Sequence, residues 1–295
     1  MSNVNRPTLA YLGLGIMGMP MTIRLLATGY RVHVWNRSAA KLAPALEKGA
    51  IACPTPADAT RHADIVLMCL TDTKAVDEVV FGAHGVATVA GANKILVDHS
   101  SMRPDATRAF AERLKLANDM DWIDAPVSGG APGADAGALA IMCGGSEAAI
   151  DRVRPVLAAY SPNVTRMGPI GAGQTTKLCN QVIVGSTVCI LAEALRLAQN
   201  AGVDAAMLPK ALGGGWADSK PFQIFTPRML DPDSKPLGAS RTMLKDLDTA
   251  LDLGQETGTP LLMAGLATQI IRIMSAQGKG DVDLARLIDL YRPNE

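Results

Sequence analysis

The sequence predicts an α/β protein in two parts: a doubly wound N-terminal half, residues 1–170, and an all-helical half, residues 171–295, that begins with one long helix. Three observations predict it. Short apolar runs alternate with amphipathic stretches through the first half, strand-like runs disappear after Gly173, and 295 residues suit two domains of ~100–200 residues each.

In order, the strand-like runs are Leu9 to Leu12, Val32 to Trp35, Ile65 to Leu70, Ile95 to Val97 and Trp122 to Ala125. Between them Pro20 to Thr28, Ser38 to Lys48, Thr73 to Val80 and Pro104 to Leu116 have helical spacing, which makes repeated β-α-β units. Runs so continuously apolar suit a parallel sheet covered on both faces. From Thr175 to about Ala201 the spacing is helical, and a helix of ~25 to 30 residues is ~40 Å long, enough to connect two domains. Helical spacing returns at Ala205 to Leu212, Ser240 to Thr257 and Pro260 to Gln277. Gly213-Gly214-Gly215 and Asp231 to Pro236 mark loops, and no fixed repeat or low-complexity tract interrupts the pattern.

The 28 Lys and Arg balance the 28 Asp and Glu, so no long-range field gathers nucleic acid or an anionic membrane, and a small molecule is the expected partner. Cys53, Cys69, Cys143, Cys179 and Cys189 form no C-x-x-C pair and read as reduced thiols of a cytoplasmic protein. MSNVNRPT has no charged and apolar leader pattern, so no signal peptide is expected. The apolar stretch Val182 to Leu191 is broken by Gly185, Ser186 and Thr187 and ends well short of the ~20 residues that span a bilayer; a buried helix is expected there.

Gly13-x-Gly15-x-x-Gly18 follows the first strand and opens the first helix. In this setting Gly13 permits the tight turn, Gly15 lets a pyrophosphate approach the backbone, and Gly18 lets the helix pack closely on the sheet. The intervening Leu14, Ile16 and Met17 complete a turn whose N–H groups suit an anion. The pattern implies a dinucleotide-binding Rossmann domain. About 20 residues on, where NAD-binding turns place a carboxylate, the chain reads Asn36-Arg37-Ser38. Asn36 does not repel a 2′-phosphate, Arg37 pairs with one, and Ser38 adds a donor, which favours NADP (NADPH) over NAD.

Asp124-Ala125-Pro126-Val127-Ser128-Gly129-Gly130 ends a strand in a small-residue turn able to hold a carboxylate, and Gly168-x-x-Gly171-x-Gly173 leads into a helix bearing Lys177, Asn180 and Gln181. Positions i, i+3 and i+4 share one helix face, which presents one amine and two amides together.

The segments GLGIMGMPM, DAPVSGGAPGA and GPIGAGQTTKLCNQ, in this order and spacing, resemble the β-hydroxyacid dehydrogenase family over almost the whole chain. The resemblance implies a Rossmann domain joined by a long helix to an all-α substrate and oligomerisation domain, commonly in dimers or tetramers. It implies Lys177 as the catalytic lysine and Ser128, Gly129 and Gly130 as the substrate-carboxylate site. It also places Ser101, Lys245, Leu70 and Thr71 near the cofactor. Many members carry Asn four residues after the lysine, whereas this chain has Gln181 there and Asn180 before it. That pair resembles the tartronate semialdehyde reductase branch, and it leaves open which amide touches substrate.

The expected reaction is hydride transfer between nicotinamide and a short 3-oxo or 3-hydroxy acid, best matched by 2-hydroxy-3-oxopropionate (tartronate semialdehyde), with 3-hydroxyisobutyrate, succinate semialdehyde and glyoxylate as alternatives. A decarboxylating 6-phosphogluconate dehydrogenase is disfavoured, because those relatives are longer and carry histidine where Asn180 stands. Imine reductases typically lack the lysine, and a non-catalytic nucleotide-binding scaffold would not need it. No metal is expected, since His33, His62, His84 and His99 are scattered and form no ligand pair with a cysteine. His99 is expected to be packed or solvated, and Trp216 either shapes the pocket or anchors the core.

Overall fold

The computed structural model describes residues 6–89 and 91–291. The segment MSNVN, on which the expectation of no signal peptide largely rests, lies outside them. The chain divides into two compact units, Met1–Lys177 and Leu178–Glu295.

The first unit is built on a nine-stranded sheet of β1 (Leu9–Leu12), β2 (Val32–Trp35), β3 (Ile51–Ala52), β4 (Ile65–Met68), β5 (Ile95–Asp98), β6 (Asp121–Asp124), β7 (Val127–Ser128), β8 (Ala140–Gly144) and β9 (Asn163–Gly168). The order is β3-β2-β1-β4-β5-β6-β8-β7, with β9 paired to β8. Strands β1 to β6 are parallel, and the chain direction reverses at the β6–β8 and β7–β8 pairs. Alternate residues feed two cores. Leu9, Tyr11, Ile65, Leu67, Ile95 and Val97 pack on one face, while Ala10, Leu12, Val66, Met68 and Leu96 pack on the other. Burial on both faces is why these strands read as unbroken apolar runs.

Helices α1 (Gly18–Ala27), α2 (Ala43–Leu46), α3 (Pro56–Arg61), α4 (Thr73–Phe81), α5 (Pro104–Asn118), α6 (Gly130–Ala136) and α7 (Glu147–Leu157) connect the strands. The helix expected from Ser38 to Lys48 divides into a 3₁₀ turn, Ala39–Leu42, and the short α2. The parallel sheet expected from the sequence is present as β1 to β6, and β7, β8 and β9, which the sequence did not reveal, extend it beyond β6 into a mixed sheet. Strand β9 is mostly exposed and carries no apolar run, so periodicity gives it no signal.

Helix α8 (Ala172–Asn200) has 29 residues, and the division between the units falls inside it. It is long and apolar enough to cross a membrane by length and composition, more than the Val182 to Leu191 stretch alone suggests. Gly185, Ser186 and Thr187 lower the helix's mean hydropathy without ending the helix. A core helix of a soluble protein passes the same test. Nor is α8 wholly buried: Ile183, Ile190 and Leu197, seven residues apart, form an exposed stripe.

The second unit is helical, with α9 (Leu208–Leu212), α10 (Lys220–Leu230), α11 (Ser240–Glu256), α12 (Leu262–Met274) and a final 3₁₀ helix, Leu284–Tyr291. Leu195, Leu247, Ile271, Met274 and Ile288 lie in its core. Two prolines hid α10 from the sequence pattern. Pro221 occupies the tolerated first turn behind the Ser219 cap, and Pro227 lies within the helix. The carboxylate of Asp283 pairs with Arg228 at 3.2 Å, and Arg286 donates to the carbonyls of Arg228 and Met229, which ties the final helix to α10. Trp216, after the three glycines, is fully exposed and is not a core anchor of this unit.

Candidate functional site

Parallel register aligns the carboxyl ends of four strands: Leu12 pairs with Met68, Met68 with Asp98, and Asp98 with Asp124. Strand order reverses between β1 and β4, and in such sheets ligands bind outside the carboxyl ends at this switch point. The Gly13–Gly18 turn leaves β1 there. A side chain on Gly13, at φ 94°, would meet the Cys69 carbonyl, and one on Gly18 would meet the Gly13 carbonyl. Gly15 differs, because its open side has nothing within 4 Å. Met17 precedes helix α1 without a side-chain cap, and the first turn of the helix holds no acidic residue. An unclaimed helix start beside an open glycine fits a pyrophosphate.

A cleft of about 460 Å³ opens beside this turn, and Gly13, Gly15, Asn36, Arg37, Ser38, Leu70 and Thr71 are among its lining residues. Leu14, Ile16, Met17, Gly18 and Ser101 do not line it. The Asn36 Oδ1 accepts from the Leu14 N–H at 3.0 Å while Nδ2 donates to the Ser38 carbonyl at 2.9 Å, so this amide fastens the glycine turn to the end of β2. Arg37 and Ser38 are exposed on the cleft wall. Lys41, Glu78 and His84 also line it and were missed in sequence. Lys41, four residues beyond Arg37, was the one with a readable spacing.

The ends of β5 and β6 meet the start of α8 in a buried polar network. Asp124 Oδ1 accepts from the Gly171 N–H at 2.8 Å, and its Oδ2 accepts from the Gln174 N–H at 2.9 Å. Gln174, 1% exposed, receives the Met102 N–H on Oε1 at 3.1 Å and donates from Nε2 to the Ser100 carbonyl at 2.7 Å. Ser100 Oγ accepts from the Leu70 N–H at 2.9 Å, and Asp98 Oδ1 accepts from the Ser100 N–H at 2.8 Å. Burial pushes the Asp98 carboxyl up to about 7, and burial also raises that of Asp124 against the pull of its N–H donors. Nothing in residue type or spacing marks Gln174, whose partners are about 72 residues away in sequence.

His99 is packed, as expected. Nδ1 donates to the Ala125 carbonyl at 2.6 Å and Nε2 accepts from the Tyr160 hydroxyl at 2.8 Å, which fixes the neutral tautomer. Burial lowers its pKa to about 4. The remaining histidines are less scattered than the sequence suggested. His33 Nδ1 lies 3.6 Å from Cys53 Sγ, because β2 and β3 are paired neighbours, and its ring stacks on His62, at the end of α3, at 5.1 Å. All five cysteines are free thiols.

Ser128 ends β7 opposite Ala140, and Gly129 and Gly130 lead into α6. Lys177 is half-buried on α8, one helical turn beyond Gln174. Asn180 and Gln181 follow on that helix but fall in the second unit. There the buried Gln181 amide is committed at both ends: Oε1 accepts from Asn180 Nδ2 at 2.9 Å, and Nε2 donates to Asp246 Oδ2 at 2.7 Å. Lys245 belongs to the same unit, with Nζ 3.1 Å from Asp246 Oδ1.

A glycine turn at the switch point of a Rossmann sheet, followed by an all-helical unit, defines a dinucleotide-binding protein. A family model for the NAD-binding domain of 6-phosphogluconate dehydrogenase matches residues 8–168, and one for the NAD-binding of NADP-dependent 3-hydroxyisobutyrate dehydrogenase matches 171–291. The 2-hydroxy-3-oxopropionate reductase of Escherichia coli (strain K12) is 34% identical over 284 residues, covering 95% of each chain. The crystal structure of 3-hydroxyisobutyrate dehydrogenase from Salmonella typhimurium superposes with a TM-score of 0.88 at 28% identity, covering 96% of this chain and 99% of that one. The Mycobacterium tuberculosis 3-hydroxyisobutyrate dehydrogenase, solved with L-serine, gives 0.86 at 29% identity, covering 97% and 99%. The chain belongs to the β-hydroxyacid dehydrogenase family and is an NAD(P)-dependent oxidoreductase of small hydroxy acids.

Proposed function

We propose that the protein is an NADPH-preferring reductase of 2-hydroxy-3-oxopropionate, acting through Lys177. The observation that carries this reading is the cofactor cleft, where Asn36, Arg37 and Ser38 stand in place of a ribose-binding carboxylate and Lys41 adds a second cation on the wall. The 34% identity to the E. coli reductase supports the substrate, as does the Asn180-Gln181 pair after the lysine.

When bound, the nicotinamide supplies the hydride, leaving the protein to orient the carbonyl and stabilise the developing oxyanion. Lys177 donates a hydrogen bond to the carbonyl oxygen and then the proton that completes the alcohol; in the reverse direction its neutral amine takes the proton back. Ser128, Gly129 and Gly130 hold the substrate carboxylate. Asn180 and Gln181, hydrogen-bonded to each other on the lysine's helix, are the amides of the substrate site. Around the cofactor stand Gly13, Leu14, Gly15, Ile16, Met17 and Gly18, with Leu70, Thr71 and Ser101. The Rossmann domain is 1–170 and the helical domain 171–295. The protein works in the cytoplasm as a homodimer or homotetramer, in which a second copy covers the stripe of Ile183, Ile190 and Leu197, and it has no nucleic-acid or membrane partner.

The test is a panel of tartronate, succinate and methylmalonate semialdehydes and glyoxylate, each with NADPH and NADH. Tartronate semialdehyde with NADPH is expected to give the highest kcat/KM, and preference for another acid would overturn the substrate. Lys177→Ala is expected to lower kcat by roughly 10²–10⁴ with cofactor binding kept. Turnover close to the parent's would remove Lys177 from the chemistry. Arg37→Asp is expected to shift preference toward NADH, and an unchanged NADPH/NADH ratio would place phosphate recognition elsewhere.

A further inference from the structure

We infer that Gln174 is a positioning residue for Lys177, fixing the lysine's helix to the loops that follow β4 and β5. This rests on Lys177 as the proton donor. The Gln174 side-chain amide is buried and satisfied in both senses, accepting from the Met102 N–H and donating to the Ser100 carbonyl. Through Ser100, whose hydroxyl accepts from the Leu70 N–H, the same bridge reaches the loop on the cofactor cleft. The backbone N–H of Gln174 is held from the other side by Asp124 Oδ2. The first turn of α8 is therefore clamped to β5 and β6, and Lys177 stands one turn later, at i+3, on the same face. A rigid shell around the first turn transmits its geometry to the lysine, and small displacements of a proton donor cost large factors in rate.

Two substitutions test this in the full-length protein with NADPH and the best semialdehyde of the panel. Gln174→Leu leaves the Ser100 carbonyl and Met102 N–H unpaired in a dry site. It is expected to lower kcat by about tenfold or more with Lys177 present, and by less than about twofold in the Lys177→Ala background. Equal losses in both backgrounds, or no loss in the first, overturn the positioning role. Near-parental turnover of Lys177→Ala alone marks failure of the proton-donor reading instead. Gln174→Glu supplies a second reading that survives poor folding of the leucine variant. Its carboxyl joins a buried network that holds the Asp124 and Asp98 carboxyls; protonated, it donates to the Ser100 carbonyl, and on ionisation it loses that donor, the ratio to the parent cancelling the titration of Asp98 itself. Its kcat relative to the parent is expected to fall as pH rises from 6 to 8, and a pH-independent ratio counts against the clamp.

Discussion

Two glycine turns open two helices in the first unit, and they put the same local chemistry to opposite uses. At Gly13–Gly18 the start of α1 has no side-chain cap and no acidic residue in its first turn, and Gly15 faces open space. At Gly168–Gly173 the start of α8 already holds an acceptor of the protein's own, the Asp124 carboxyl, on the N–H groups of Gly171 and Gln174. Both helix ends attract negative charge. One is left for a ligand, and the other is satisfied internally so that the helix bearing Lys177 starts from a fixed point. A glycine pattern therefore identifies a helix start suited to an acceptor, and the surroundings decide whose acceptor it is.

The largest expected effect comes from crowding the filled turn. A Cβ on Gly173 would collide with the Met142 carbonyl and lie 2.7 Å from that of Asp124. Backbone must move, so Gly173→Ala is expected to cost about 3 kcal/mol in urea denaturation. A loss below ~0.5 kcal/mol, the usual range for surface changes, would mean that the turn is not tightly filled. The matching change in the open turn, Gly15→Ala, has no protein neighbour to meet. It is expected to leave stability within about 0.5 kcal/mol while raising the NADPH dissociation constant by about tenfold or more. Unchanged affinity by titration calorimetry would break the contrast between the two turns.

A smaller effect concerns pH, because the filled turn lies beside a second buried carboxyl and a buried imidazole. Asp98 titrates near about 7 instead of 3.8, so its contribution to stability is present at low pH and is lost as pH rises through about 7. His99 titrates near about 4 instead of 6.5, so its contribution is present above 6.5 and is lost as pH falls toward about 4. The two slopes oppose each other between about 4 and 6.5, which is expected to flatten the parent's stability there. Asp98→Asn should expose a stability that rises with pH, and His99→Gln one that falls. Identical urea midpoints from pH 5 to 7 in parent and both variants would show that neither group is linked to folding.

The Rossmann half was legible because its five central strands are buried on both faces and bounded by turns, and because Gly13, Gly15 and Gly18 sit where β1 becomes α1. Between Ser128 and Gly168 legibility failed. Strand β8 offered the apolar run Ala140 to Cys143 before two glycines, and Ser146 caps α7 through the Ala149 N–H, but β9 is an exposed strand whose identity lies in its pairing with β8. The candidate site divides along the same line. Lys177 and the residues at the end of β2 announce themselves by type and position, whereas Gln174, Ser100 and Asp98 are ordinary polar residues until the fold brings their strand ends together.

The sequence by itself determined the fold class, the dinucleotide turn and the lysine-bearing helix, because each depends on residues close in the chain: glycines at fixed offsets, apolar periodicity and spacing along one helix. Only the tertiary structure decided that Asp124 fills the second glycine turn, that Gln181 is committed to Asp246 while Gln174 clamps the Ser100–Met102 loop, and that His33 meets Cys53. Each of these is a pairing of buried polar groups from distant segments. Burial obliges such groups to find partners, and local sequence does not say which.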